Sequence, residues 1–406
     1  QCEHGSGMRQ RGSDAAGSPP VPANRGPDVG AHRKNRRRTC FRLFMASRYY
    51  KLCVLALMSI TPVFGNIWAM PKLLDQRGCT GVSRILNLAA TIWISVMFLY
   101  NFIMTQFTDP GGCASVKPAH ETTGQYELVL DDGEGNGAKD DSEPSMLLFA
   151  PSWCELCQHW KTPRSHHCSI CQRCVLRMDH HCPITGNCIG MRNHGHFLIM
   201  YLFAFMGLSY SMTSCMVVIL HGHWGQSPEG KALQEALTSY TKHLMGIPGL
   251  MIQVFLKILV AAGGEVALQT VFTTIALVVV LTCGCSAVHM ASTNCTLLEM
   301  QFPMKEYVQL KPQVYCPLGP GFYKRDWKEN LLELLGDRWL IRLLLPLRGG
   351  PLSIQPAVSP RPSSQGAAIL KERVAQVEAQ GVTKQVNSCQ ELGINPGPGG
   401  TVPDGV

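Results

Sequence analysis

Apolar residues along this chain gather into runs instead of spreading evenly. Leu52 to Met70 is apolar apart from small polar residues and reaches spanning length, although Pro62, Gly65 and Asn66 interrupt it. Ile85 to Phe107, Phe197 to Leu220 and Val266 to Val288 are uncharged, and each is long enough to cross a bilayer as a helix. Ile247 to Gly264 is apolar too, but it carries Lys257 and ends in Gly263-Gly264, the pattern of an interfacial or re-entrant segment. The hydropathy predicts an all-α polytopic membrane protein with four transmembrane helices, two within 52–107 and two within 197–290, the second pair joined by a lumenal connection.

The polar stretches divide the rest. Residues 1–51 read as a disordered basic tail: 1 to 32 are rich in Gly, Ser, Pro and Ala and have no apolar period to pay for ordering. Arg33, Lys34, Arg36, Arg37, Arg38, Arg42, Arg48 and Lys51 then precede the first apolar run, and basic residues beside a span hold that side in the cytosol. Residues 108–153 read as a cytosolic linker. It opens on Asp109-Pro110-Gly111, a helix-ending turn, and holds two acidic clusters, Asp131-Asp132-Gly133-Glu134 and Asp140-Asp141-Ser142-Glu143. After the last span, 291–347 reads as a cytosolic segment in which Trp327, Leu331, Leu334 and Leu335 recur at helical spacing, suiting a membrane-surface helix or ordinary core packing. From 348 to 406 the chain is rich in Pro, Gly and Gln and reads as a disordered tail, with Gly366 to Gly381 the one stretch suited to a short helix.

Composition agrees with a membrane protein diluted by tails: 46% of residues are hydrophobic and 16% charged. The formal net charge of +8 does not indicate nucleic acid, because the basic residues lie mostly beside apolar runs, where they set topology.

The candidate chemistry is concentrated between the second and third spans, at 154–196. Seven of the chain's 18 cysteines lie between Cys154 and Cys188, with His159, His166, His167, His180 and His181 among them. Cys154/Cys157, Cys168/Cys171 and Cys171/Cys174 are Cys-x-x-Cys steps, a spacing that suits tetrahedral zinc. Two closed sites take eight ligands; six cysteines and two histidines would fill them and leave one thiol over. Spacing alone does not choose between Cys182 and Cys188 for that spare thiol. Asp179-His180-His181-Cys182 places a carboxylate, imidazoles and a thiol together, and an imidazole beside a thiol makes it a nucleophile near neutral pH. His159 and His166 are not needed to fill a site, and Arg164 and Lys161 read as surface or phosphate-facing residues.

The stretch resembles the DHHC-type protein S-acyltransferases, or palmitoyltransferases. The resemblance rests on Cys154-x-x-Cys157, Pro163-x-x-His166-His167-Cys168, Cys171, Cys174, Asp179-His180-His181-Cys182-Pro183, Asn187-Cys188-x-Gly190, Asn193 and Phe197, together with the distant Asp109-Pro110-Gly111. It implies two structural zinc ions, one on Cys154, Cys157, His167 and Cys174 and the other on Cys168, Cys171, His181 and Cys188. It further implies that Cys182 is the nucleophile, His180 its base and Asp179 the group that orients His180. The expected co-substrate is palmitoyl-CoA or a related acyl-CoA. The expected partners are the bilayer and cysteine-containing membrane-associated proteins, and the expected setting is the endoplasmic reticulum or Golgi membrane with both termini and the zinc domain cytosolic.

The chain departs from the family pattern at three places. Ile184 follows Cys182-Pro183 where the family has Trp, which predicts a changed acyl-chain preference or slower turnover. Thr296-Leu297-Leu298-Glu299 keeps the Thr and Glu of the family's Thr-Thr-x-Glu but not its second Thr, and Asp326-Trp327 stands where the family has Asn-Trp. These departures keep a catalytically weak or silent zinc scaffold as the alternative reading. A zinc ubiquitin ligase lacks support because no further Cys-x-x-Cys follows Cys188. A thiol oxidoreductase would need metal-free Cys-x-x-Cys.

Overall fold

The computed structural model describes residues 47–65, 67, 70–76, 78–113, 116–118, 125–129, 146–221, 264–302, 306–311, 314–318, 321–336, 338–349 and 360–379, with isolated positions between 228 and 252. The basic run before Arg48, both acidic clusters and nearly all of 247–263 lie outside the described residues, as do the expectations placed on them.

Helix α1 (Arg48–Phe64) has 17 residues. At about 1.5 Å per residue it is about 26 Å long, short of the about 30 Å hydrocarbon layer. Pro62 and Gly65 stand near its end, and a short helix α2 (Met70–Gln76) follows. Helices α3 (Gly81–Phe107), α4 (His194–His221) and α5 (Gly264–Ser292) are long. Among the described residues, three helical stretches are long and apolar enough to cross a membrane: Gly81–Phe107, His194–Val217 and Val266–Ser292. Three of the four expected spans are thus found among the described residues, and the first apolar run forms the shorter helix α1. Helix α4 packs against both α3 and α5. Val82, Ile85, Leu86 and Ile92 on α3, and Leu268, Phe272 and Ile275 on α5, stay exposed, an arrangement that is costly in water and natural in lipid.

The all-α expectation is corrected by β-sheet on the polar side of the molecule. Strands β1 (Glu127–Val129) and β2 (Met146–Phe149) pair antiparallel, with Glu127 opposite Leu148. Between them and the spans come three small hairpins. These are β3 (Trp153–Cys154) with β4 (His159–Trp160), β5 (His166–Cys168) with β6 (Arg173–Val175), and β7 (His180–Cys182) with β8 (Asn187–Ile189). After α5 and a short helix α6 (Leu297–Gln301), strand β9 (Tyr307–Lys311) joins β2 and pairs with β10 (Val314–Pro317), giving the order β1-β2-β9-β10. The physical reason is alternation: in β9, Val308 is buried and Leu310, two places on, packs partly buried against the same core, so one face of the strand turns inward.

Helix α7 (Trp327–Leu335) ends at Gly336, whose φ of 78° suits glycine, and α8 (Trp339–Leu344) follows. The single amphipathic helix expected over 327–345 is therefore two. A last helix, α9 (Ser364–Ala379), lies within the tail expected to be largely disordered. It buries Ala367 and Leu370 in a core with Leu128, Phe149, Val308 and Phe322, so apolar burial offsets its ordering.

Candidate active site and metal centres

The three hairpins bring the cysteines and histidines into two groups: Cys154, Cys157, His167 and Cys174, and Cys168, Cys171, His181 and Cys188. Within each group the ligand atoms all lie within 4.8 Å of one another. In the first, His167 Nδ1 is 3.6, 3.2 and 4.0 Å from the sulfurs of Cys154, Cys157 and Cys174. In the second, His181 Nδ1 is 3.7, 3.4 and 3.6 Å from those of Cys168, Cys171 and Cys188. A tetrahedral zinc with its usual bond lengths sets sulfur and nitrogen about 3.6 Å apart. The donors present fit that ion. The two sets are interleaved, since neighbours His167 and Cys168 on β5 belong to different groups.

Cys182 belongs to neither group. It ends β7, is 3% exposed, and lies in a cluster with Phe102, Phe197, Leu198, Met200, Ala287 and Ala291, drawn from α3, α4 and α5. Ahead of it on the same strand, His180 Nδ1 is 2.7 Å from Asp179 Oδ2. The Leu297 N–H donates to the other carboxylate oxygen of Asp179 at 2.8 Å. Burial alone would raise the Asp179 carboxyl, but the hydrogen bond from His180 and the nearby positive groups bring it down to about 2. Burial would lower the His180 imidazole, yet Asp179 and then Cys182 hold it up at about 9. The Cys182 thiol is raised by burial and lowered more by His180, whose hydrogen bond and charge favour thiolate. The row therefore favours a thiolate beside an imidazolium.

Two packing devices set this hairpin on the spans. Asn187 Nδ2 donates to the carbonyls of Thr105 (3.1 Å) and Thr108 (2.9 Å), and Asn193 Nδ2 to those of Thr105 (3.1 Å) and Cys188 (2.8 Å). Gly190 allows the close approach, because a Cβ there would lie 2.6 Å from Val175 and 2.9 Å from the Pro110 carbonyl. The Asp109-Pro110-Gly111 turn docks on the hairpins: Gly111 O accepts from Leu176 N–H at 3.0 Å, Pro110 O from Arg192 N–H at 3.2 Å, and Asp109 pairs with Arg173 at 3.1 Å.

Compared with known proteins, residues 148–304 match the family described as DHHC palmitoyltransferase. Residues 148–304 therefore read as a DHHC domain. A similar protein is one from Arabidopsis thaliana named Probable protein S-acyltransferase 13, which is 32% identical over 145 residues. Those residues are 35% of this chain and 46% of that protein, so the match spans less than half of the relative's length.

Several residues of the DHHC domain do what the sequence did not reveal. Arg164 is not at the surface: it is 2% exposed, its Nε and Nη2 donate to Glu299 at 2.6 and 2.8 Å, and Nη1 and Nη2 reach Asn294 at 2.9 and 2.7 Å. Tyr323 lies under its guanidinium, 4.4 Å from ring centre to Cζ. Glu299 and Thr296 form a capping box for α6, and that cap aims the Leu297 N–H at Asp179. The departure from a second Thr at 297 therefore leaves a backbone donor in place. Asp326 caps α7 by accepting the Lys328 N–H at 2.9 Å, while Trp327 is 55% exposed. The residues of α7 that reach the Cys182 cluster are Leu334, buried, and Leu331 and Leu335, partly so. His159 bonds the Trp160 carbonyl at 2.8 Å and His166 is exposed, both outside the two ligand groups.

Proposed function

We propose that this chain transfers a long-chain acyl group, palmitoyl or similar, from acyl-CoA to cysteine thiols of membrane-associated proteins, through a thioester on Cys182. The observation that carries the reading is the buried row of Asp179, His180 and Cys182, in which a hydrogen-bonded imidazole stands beside a thiol that no metal group uses. In the first step the Cys182 sulfur attacks the thioester carbonyl, and the CoA sulfur leaves with the proton held by His180. In the second, His180 takes the proton of a substrate thiol as that sulfur attacks the acyl-Cys182 bond. Asp179 holds the imidazole in place and favours its charged form. The apolar surroundings of Cys182 on α3, α4 and α5 suit an acyl chain, which gains about 0.8 kcal/mol per buried methylene.

The two Cys/His groups would hold zinc as closed sites of four protein ligands each, which makes the metal's contribution structural. They fix the hairpin that carries Cys182. Free zinc thiolates belong in a reducing compartment, so this side of the membrane is assigned to the cytosol, at the endoplasmic reticulum or Golgi.

The test is to incubate the purified chain in detergent with a clickable palmitoyl-CoA analogue, beside Cys182→Ser. Hydroxylamine-sensitive label on the wild type and none on the serine variant is the expected result. An unlabelled zinc-replete wild type, or equal label on both, would instead favour a membrane zinc scaffold.

A further inference from the structure

Cys154, Cys168 and Cys182 stand fourteen residues apart, and each opens the same turn. Its carbonyl accepts the N–H of the residue four places on, Gln158, Gln172 and Gly186, at 2.8, 2.8 and 2.9 Å. These three residues share a left-handed backbone, with φ of 53°, 54° and 61°. Each cysteine also faces the residue five places on across its hairpin: His159, Arg173 and Asn187. The first two turns carry a second sulfur three places after the first, Cys157 and Cys171, and both pairs sit in the metal-suited groups. At that place the third turn has Thr185.

The likeness extends to the donors. Cys171 N–H donates to Cys168 Sγ at 3.3 Å, and the N–H of Thr185 acts on the Cys182 sulfur in the same way. Thr185 is wholly buried, and its hydroxyl, which has no other hydrogen-bond partner among the described residues, faces that sulfur and favours its thiolate. The turn is held from outside as well. Tyr50 Oη donates to the Pro183 carbonyl at 2.5 Å, and its ring lies 3.0 Å from where a Cβ on Gly186 would be.

We infer that the third turn is a metal knuckle without its second ligand, and that Thr185 is a catalytic residue whose hydroxyl donates to the thioester oxygen when Cys182 attacks. The inference rests on the acyl transfer proposed above. As Sγ bonds to the carbonyl carbon, the C=O π pair moves onto oxygen, one bond beyond that carbon and within reach of donors already beside the sulfur. The Thr185 N–H is the second donor. When the C=O re-forms, the bond to the CoA sulfur breaks, and CoA departs with the His180 proton.

The test uses the full chain in detergent, with acyl-enzyme formation followed against the concentration of the palmitoyl-CoA analogue. Thr185→Val keeps the shape and removes the donor. Its maximal rate should fall tenfold or more, while the half-saturating concentration and the zinc content stay those of the wild type; Thr185→Ser should keep most of the rate. A valine variant that labels as fast as the wild type overturns the inference alone. So does a slow valine variant that has lost zinc, or one matched by an equally slow serine variant, since either marks a packing role. A wild type that takes no label overturns the acyl-transfer reading and this inference together.

Discussion

A carboxylate held inside a protein beside another carboxylate resists ionisation, and Glu306 is such a residue. Its carboxylate accepts the N–H of Arg164 and the hydroxyl of Tyr323, the latter at 2.7 Å. Burial, with Glu299 adding to it, pushes the carboxyl up to about 7, against the opposing pull of Tyr323 and Arg164. Below about pH 4.5 the group is protonated whether the chain is folded or not. Between that value and about 7 the unfolded chain gives up its proton and the folded one keeps it, so stability is lost as pH rises through this window, by at most about 3 kcal/mol. Glu306→Gln keeps an acceptor and cannot ionise. In detergent, the melting temperature of the variant should gain on the wild type from pH 5 to 7.5; a difference that does not change with pH would show that Glu306 ionises normally.

Helix α6 shows how a short element positions a distant side chain. Thr296, its cap, has φ −98° and ψ 159°, which suits a residue before proline, and the first helical position needs no N–H of its own. Leu297→Pro therefore removes the donor to Asp179 and little else. A hydrogen bond to a charged group is worth about 1.5–3 kcal/mol, and about 1.4 kcal/mol is tenfold, so acyl-enzyme formation should slow about tenfold or more at unchanged zinc content. An unaltered rate would mean that Asp179 needs no support from this helix. No side chain signals this role: the donor is backbone, and its partner is 118 positions away. A metal-suited cluster was legible because zinc sites use short, regular spacings, its division into two groups came from the family resemblance, and the long spans were legible because lipid demands unbroken apolar runs. Thr185 was hidden for a different reason, since only alignment of the chain on itself at fourteen residues places it against Cys157 and Cys171.

At the scale of the molecule, the sheet escaped the sequence because its strands are short and its central pairing, β2 with β9, joins residues more than 150 positions apart. The C-terminal helix α9 falls where the sequence suited a short helix, Gly366 to Gly381, but its docking escaped because its apolar positions have little meaning until that sheet exists to receive them. Leu370→Ala would open a void beneath the helix, at a cost of about 2–5 kcal/mol. The chain should then melt earlier and be cut by protease within 360–379; resistance equal to the wild type would mean that the helix contributes little to holding the sheet. The three repeated turns also give the molecule two different responses to peroxide. Once stripped of metal, the first two can each close on their own sulfur pair as a disulfide. The third has an alcohol in place of the second sulfur, so a sulfenic acid on Cys182 finds no second thiol in its own turn and is either reduced by an added small thiol or oxidised on to sulfinic acid.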